Sequence, residues 1–312
     1  MPHLSVPDDA IVLGIDAGGT KSLVCGRYAE ADLRHLAPGT NLQRDGLEAC
    51  ADRLADAASG AIAELPPFAS LFLCAGVAGA GRTNEQRALG SAVQARLAGR
   101  AAEVSVEIVH DGFLALEAAF PDGASGVVAV AGTGSILLAR TEAGNVMRAA
   151  GWGRLIGDPG SGTAIGRAAL EAVADDFDGG EPTILRHRLA NDHGVRSPED
   201  LVRFVHQANF DPAALAPTVV EAAAVPDWAA TRVLQQQANA LARRAGWLAS
   251  RAQERGGITP QVVLAGGMTR AAHYREVLAE AFLRHLPEWR IVRPHATPEE
   301  AALARAARLA TA

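Results

Sequence analysis

Apolar residues in this chain come in short unbroken runs that stop at clusters of glycine, threonine and aspartate. Ile11-Val-Leu-Gly-Ile15 enters Asp16-Ala-Gly-Gly-Thr20, and Lys21-Ser-Leu-Val-Cys25 leaves it, which predicts a β-hairpin with a glycine tip. Leu33 to Ala37 adds a third short strand. The turn Pro38-Gly-Thr-Asn41 then leads into an alanine-rich helix from about Gly46 to Glu64, stopped by Pro66-Pro67. Ser70 to Ala75 is an apolar run of strand length, followed by the glycine-rich loop Gly76 to Gly81 and a helix from about Asn84 to Ala98. Val104 to Val109 is the next strand, and it runs directly into His110-Asp111-Gly112 and a short helix ending before Pro121. The order βββαβαβα implies a mainly parallel sheet with helices on both faces, widened at one edge by the hairpin strands.

The pattern then restarts. Val127 to Ala131, the tip Gly132-Thr-Gly-Ser135 and Ile136 to Ala139 form a second glycine-tipped hairpin, with a third strand near Val146 to Ala149 after a turn at Ala143-Gly-Asn145. Helices are predicted from about Gly160 to Ala174, Pro198 to Ala208 and Trp228 to Gln253. Strand Gln261 to Ala265, helix Arg270 to His285, strand Arg290 to Val292 and a helix from Pro298 close the unit. The duplication predicts an α/β fold of two lobes, 1–121 and 122–312, divided at Pro121-Asp-Gly-Ala-Ser-Gly126, with a cleft between the two tips that closes on ligand. The last helix is free to pack back on the first lobe.

Composition narrows the class. With 312 residues, 49% of them hydrophobic, the chain can bury a substantial core. No apolar run reaches the ~18 residues of a membrane helix, and Met1 to Asp9 lacks a basic stretch followed by an apolar one, so a cytoplasmic protein is expected. A net charge of −6 with dispersed arginines makes nucleic acid an unsuitable partner. Cys25, Cys50 and Cys74 are odd in number and form no C-x-x-C pair, which argues against a disulfide framework or a cysteine-held metal within one chain.

The first tip has candidate chemistry of its own. Gly18 and Gly19 carry no Cβ, so the tip is expected to take φ > 0 and bring N–H groups towards an anion, beside the Thr20 hydroxyl and the Lys21 ammonium. Lys21 is the one lysine among 29 basic Lys and Arg residues, and a compact ammonium suits phosphate in a tight loop. Compositional bias also accounts for its being alone, and an ordinary glycine turn also accounts for the tip. Spacing excludes two familiar loops: counting from Gly14 puts Thr20 where a Walker A lysine belongs, and Asp16 takes the second glycine position of the dinucleotide fingerprint. A carboxylate at Asp16 would repel phosphate unless Mg²⁺ lay between them.

Taken in order, Gly14-Ile-Asp-Ala-Gly-Gly-Thr20, Asp111, Ala131-Gly-Thr-Gly-Ser135 and Leu264-Ala-Gly-Gly-Met268 resemble the phosphate-1, catalytic aspartate, phosphate-2 and adenosine motifs of the actin-like ATPase/sugar kinase fold. Gly151-Trp-Gly-Arg-Leu-Ile-Gly-Asp-Pro-Gly-Ser-Gly162 resembles the loop of the N-acetylglucosamine kinase branch of the BadF/BadG/BcrA/BcrD ATPase family. The resemblance implies that Gly18, Gly19, Thr20, Lys21, Gly132, Thr133 and Gly134 bind ATP phosphates. It implies that Gly266 and Gly267, opening a helix after a strand, lie by the adenosine, and that Asp16 holds hydrated Mg²⁺. Asn41, Asp111, Gly151, Trp152, Gly153 and Asp158 match amino-sugar positions, with Asp111 as general base. The family loop commonly has an acidic residue where this chain has Pro159.

Each residue also has a plain structural reading: Asn41 as a turn residue, Trp152 as packing, Asp111 as a helix N-cap. The zinc motif of repressor-type sugar kinases is absent, and the cysteines do not fit the iron–sulfur interface of dehydratase activators. The expected activity is ATP-dependent phosphorylation of the 6-hydroxyl of N-acetylglucosamine, a small-molecule amino sugar, with no membrane or nucleic-acid partner and a homodimer allowed. Glucosamine or N-acetylmuramic acid is the alternative acceptor, and a nucleotide-switched regulatory ATPase the alternative class.

Overall fold

The computed structural model describes residues 9–311. The segment Met1 to Asp9, on which the cytoplasmic expectation rests, lies outside the described residues except for Asp9. Strands β1 (Ala10–Ala17), β2 (Lys21–Tyr28) and β3 (Ala31–Pro38) form the first meander, followed by helices α1 (Leu42–Asp45) and α2 (Leu47–Ala61). Then come β4 (Ser70–Val77), α3 (Thr83–Leu97), β5 (Glu103–His110) and α4 (Asp111–Ala119). The second meander is β6 (Gly126–Ala131), β7 (Ser135–Arg140) and β8 (Val146–Ala150). Five helices follow it: α5 (Gly162–Phe177), α6 (Ile184–His193), α7 (Pro198–Val205), α8 (Ala216–Ala223) and α9 (Trp228–Glu254). The chain ends with β9 (Gln261–Ala265), α10 (Ala272–His285), β10 (Arg290–Val292) and α11 (Pro298–Leu309). No helix among the described residues is long and apolar enough to cross a membrane.

The duplication is one of topology. One sheet has the order β3-β2-β1-β4-β5 and the other β8-β7-β6-β9-β10, with β1 and β6 each antiparallel to the following strand and parallel to the strand on the other side. Contacts divide the chain into two compact units, one running to Gly123 and resuming at Pro294, the other Ala124–Arg293.

In the first unit the alternation of β1 serves two helical layers. Ile11, Leu13 and Ile15 pack with Leu54 of α2 and with Leu89 and Val93 of α3. Val12 faces the opposite way, with Cys74, Leu303 and Ala306. Gly14 lets α11 sit on that face, because a Cβ there would lie 2.2 Å from the Leu303 backbone nitrogen. The cysteines are free and buried, and burial pushes the Cys25 thiol up to about 12, so it stays protonated at neutral pH. In the second unit α9 is central: Leu234, Leu241 and Leu248 belong to a core that includes Leu137, Tyr274 and Phe282.

Arg305 of α11 fastens β5 to α4. It donates to both Glu107 carboxylate oxygens, one at 3.0 Å, and to Glu117 at 3.0 Å, and its guanidinium lies over the Phe113 ring at 5.4 Å. The three charged side chains are 19–29% exposed, so solvent screens them only in part. Arg305→Met would leave two carboxylates together without a cation. It should cost about 2 kcal/mol of stability, below the range for fully buried pairs because of that exposure. Urea unfolding measures it, and a loss under ~0.5 kcal/mol would mean that water already compensates the pair.

Candidate active site

Strand register brings the candidate residues of the first unit to one sheet edge. Ala17, Val77 and His110, the last residues of β1, β4 and β5, are paired across the sheet, and Pro38 at the end of β3 pairs with Lys21. Asp16, the tip Gly18–Thr20, Lys21, Asn41 and Asp111 therefore all lie at the carboxyl ends of the parallel strands, where open α/β sheets bind ligands.

The tip is braced from behind. Its carbonyls accept hydrogen bonds from Thr40 N–H to Gly18 (3.0 Å), Arg44 to Gly19 (3.0 Å) and Gly39 N–H to Thr20 (3.2 Å). A Cβ on Gly39 would lie 2.3 Å from the Lys21 nitrogen, so Gly39 is the residue this close approach requires to be glycine. The expectation of positive φ at Gly18 and Gly19 is corrected: neither is in the left-handed region, because the turn closes with Gly18 N–H on Lys21 C=O at 3.1 Å. A Cβ on Gly19 would meet nothing nearer than 3.9 Å, so neither dihedral nor internal packing demands glycine there. What its absent side chain leaves free is space outside the loop.

Asn41 caps α1, its side-chain oxygen accepting from Gln43 N–H (3.0 Å) and Arg44 N–H (3.2 Å), and its backbone bridges to Ala78. Its own N–H is held by Asp45 at 2.9 Å, and the same carboxylate takes Thr40 Oγ1, Arg44 and Arg53. The Arg44 hydrogen bond, first among these, holds the Asp45 carboxyl well below its ordinary value of 3.8. A depressed folded-state value stabilises above the unfolded value and is lost as pH falls through the folded one. Asp45→Asn should therefore lower stability by roughly 1–3 kcal/mol at pH 7 and flatten the acid limb below about pH 4. Melting temperature against pH checks this, and parallel acid limbs in the two proteins would contradict it.

Asp111 is the first residue of α4, not its cap. The cap is His110, whose Nδ1 accepts the Gly112 N–H at 3.0 Å, because β5 remains extended through His110. The half-buried Asp111 carboxylate accepts the same N–H at 2.8 Å. Gly76 makes room for this corner: a Cβ there would meet Leu114 at 2.3 Å and the Asp111 Cα at 3.3 Å.

The second unit repeats the arrangement. Ala131 pairs with Ser135, Ile136 with Ala150 and Val130 with Ala265, so the tip Gly132–Gly134, the segment after β8 and the segment after β9 leave one end of the sheet together. The first amides of α5 support the tip, Gly162 N–H on Gly132 C=O at 2.8 Å and Thr163 N–H on Thr133 C=O at 3.2 Å. Gly266 (φ +97°) must be glycine because a Cβ would lie 2.3 Å from the Ala131 carbonyl oxygen. The helix that Gly266 and Gly267 open after β9 is short. They start a single 3₁₀ turn, Gly267–Arg270, and α10 begins at Ala272.

Gly151, Trp152 and Gly153 are loop residues, both glycines with positive φ (+69° and +84°). Trp152 is 60% exposed with the Arg148 guanidinium 5.3 Å from its ring, which corrects the packing reading. Asp158 is buried and accepts the Gly153 N–H at 3.1 Å. Burial raises its pKa above the ordinary value, while amides of Gly153, Ser135 and Trp152 pull it down. Ser135, part of the second tip motif but given no role by the sequence, donates to the Pro159 carbonyl at 2.8 Å and ties that loop to the tip. In the sequence Gly39 and His110 stand only as turn and strand-end residues, and nothing in their own residue types singles them out.

Known proteins place these observations. The chain is 32% identical over 173 residues to an N-acetylmuramic acid/N-acetylglucosamine kinase of Clostridium acetobutylicum, covering 54% of this chain and about half (55%) of that relative. It is 27% identical over 247 residues to an N-acetyl-D-glucosamine kinase of Dictyostelium discoideum, 74% of this chain and 76% of that one. The crystal structure of a candidate N-acetylglucosamine kinase from Chromobacterium violaceum shares the fold, with TM-score 0.77 and 24% identity over 96% of this chain and 100% of that chain. The sequence profile of the BadF/BadG/BcrA/BcrD ATPase family matches residues 13–302, and the chain belongs to that family.

Proposed function

We propose that the protein transfers the γ-phosphoryl group of ATP to the 6-hydroxyl of N-acetylglucosamine. The observation that carries this reading is the register that gathers Asp16, the Gly18–Thr20 tip, Asn41 and Asp111 at the carboxyl edge of one sheet, in a chain of an ATPase family. Relatives named for amino-sugar kinases supply the acceptor class.

The residues divide into three tasks. Thr20, Lys21, Thr133 and the glycines of both tips bind phosphate through amides, hydroxyls and one ammonium. The openness around Gly19, and around Gly267, where a Cβ would meet nothing within 4 Å, supports close approach of a ligand. Asn41, Gly151, Trp152, Gly153 and Asp158 hold the sugar. Asp111, at a strand end with a carboxylate one-third exposed, takes the proton of the attacking hydroxyl.

Asp16 suits Mg²⁺, which binds through one or two carboxylates and keeps several waters. Among the described residues no cluster of three or more His, Cys, Asp or Glu forms a full metal cage, in keeping with an ion that completes its shell with water and phosphate oxygens. Bound there, the ion would neutralise charge on the phosphoryl oxygens. The Clostridium relative's name keeps N-acetylmuramic acid as a second acceptor. A screen of ADP formation over amino sugars tests the reading: release that rises with N-acetylglucosamine supports it, and sugar-independent hydrolysis indicates a regulatory ATPase.

A further inference from the structure

Between Gly151 and Gly157 the loop carries a tip that nothing in its own unit covers. Leu155 is 89% exposed and Ile156 76%, adjacent on a segment with positive φ at Gly151, Gly153 and Gly157. The loop is nonetheless pinned at both ends. Ala150, the residue before it, is held in the left-handed region (φ +57°) although it has a side chain, a conformation costing about 1–2 kcal/mol. Beyond it, Asp158 takes the Gly153 N–H, Ser135 donates to Pro159, and Tyr274 donates to Gly160 at 2.8 Å. Gly157 N–H closes the tip on Gly153 C=O at 3.0 Å, and Arg167 holds the Arg154 carbonyl at 2.9 Å. The loop is a fixed bracket that presents two branched apolar side chains to the outside.

Its position says what it would meet. The base lies against the second tip, where a Cβ on Gly134 would sit 2.9 Å from the Asp158 carboxylate, and Trp152 and Gly153 are the sugar-site residues of the proposed function. An N-acylhexosamine bears hydroxyls around its ring, and the acyl methyl on its 2-nitrogen is its main apolar group. We propose that Leu155 and Ile156 are specificity residues that cover the N-acyl arm of the sugar and so favour acylated over free-amine hexosamines. This rests on the amino-sugar kinase reading above and extends it to the N-substituent. Enclosing one methyl-sized group in an apolar contact discriminates by roughly 10-fold or more.

The test is the double variant Leu155→Ser, Ile156→Ser, compared with the unmodified protein on N-acetylglucosamine and on glucosamine, with Mg-ATP. Glucosamine is followed as a substrate or, where its turnover is too slow, as a competitive inhibitor. Both residues are exposed, so the melting temperature should hold. The expected result is a fall of about 10-fold in kcat/KM for N-acetylglucosamine, with the constant for glucosamine changing much less, so that the preference between the two sugars collapses. Equal losses on both sugars, or no loss on either, would overturn the assignment while leaving the kinase reading intact. An unmodified protein that phosphorylates neither sugar, nor any other amino sugar, would overturn the kinase reading and this proposal with it.

Discussion

Asp111→Asn should fold normally and lose roughly 10²–10⁴-fold in kcat, the scale of a positioned general base. The structure sharpens the comparison, because the cap of α4 is the imidazole of His110, and an asparagine oxygen at position 111 can still accept the Gly112 N–H that the carboxylate accepts now. Stability should therefore change by less than about 0.5 kcal/mol, as for a substitution that breaks no cap or network. An amide cannot take the hydroxyl proton but can hydrogen-bond the hydroxyl, so the sugar KM should move less than kcat. The measurement is kcat with N-acetylglucosamine and Mg-ATP beside the melting temperature. A stable variant with near-normal kcat would remove Asp111 from the chemistry.

Asp16→Ala should have an effect of similar size through a different route. The residue is the last but one of β1, next to Ala17, and the half-buried side chain stands beside a tip proposed to hold phosphate. Without a cation between them the two anions repel; the carboxylate would hold a Mg²⁺ ion there, and the ion would neutralise charge at the phosphoryl group. Removing it should cut turnover by about 10²–10³-fold and raise the Mg²⁺ concentration needed, while sugar binding measured by calorimetry stays close to that of the unmodified protein. An unchanged magnesium requirement would contradict the assignment.

What the sequence disclosed follows from which forces are local. The two hairpins were legible because apolar runs flank glycine tips, and strands β9 and β10 lie where the sequence reading puts them. Helices α6 and α8 were missed. Ile184-Leu-Arg-His-Arg-Leu-Ala-Asn-Asp-His193 has little apolar periodicity and is held at its start by Thr183 and by Asp227, which lies 44 residues away from Thr183 in sequence. Helix α8 is short and carries Pro217 in its first turn, which reads as a break when seen alone.

In the site, the motif residues were legible and their supports were not. Asp16, Thr20 and Asp111 stand out by order and spacing, whereas His110 as cap, Gly39 behind the tip and Ser135 on Pro159 depend on approaches that only the folded chain creates. Gly266 and Gly19 look alike in sequence and differ in cause. The first is required by the Ala131 carbonyl; the second has open space where its side chain would be.

The central claim is phosphoryl transfer to a sugar hydroxyl, and product analysis tests it most directly. Purified protein with Mg-ATP and N-acetylglucosamine should yield one ADP per sugar phosphate, with ³¹P–¹H correlation placing the phosphate on the C6 oxygen. ADP accumulating at the same rate without sugar, or no phosphorylated sugar, would contradict the account.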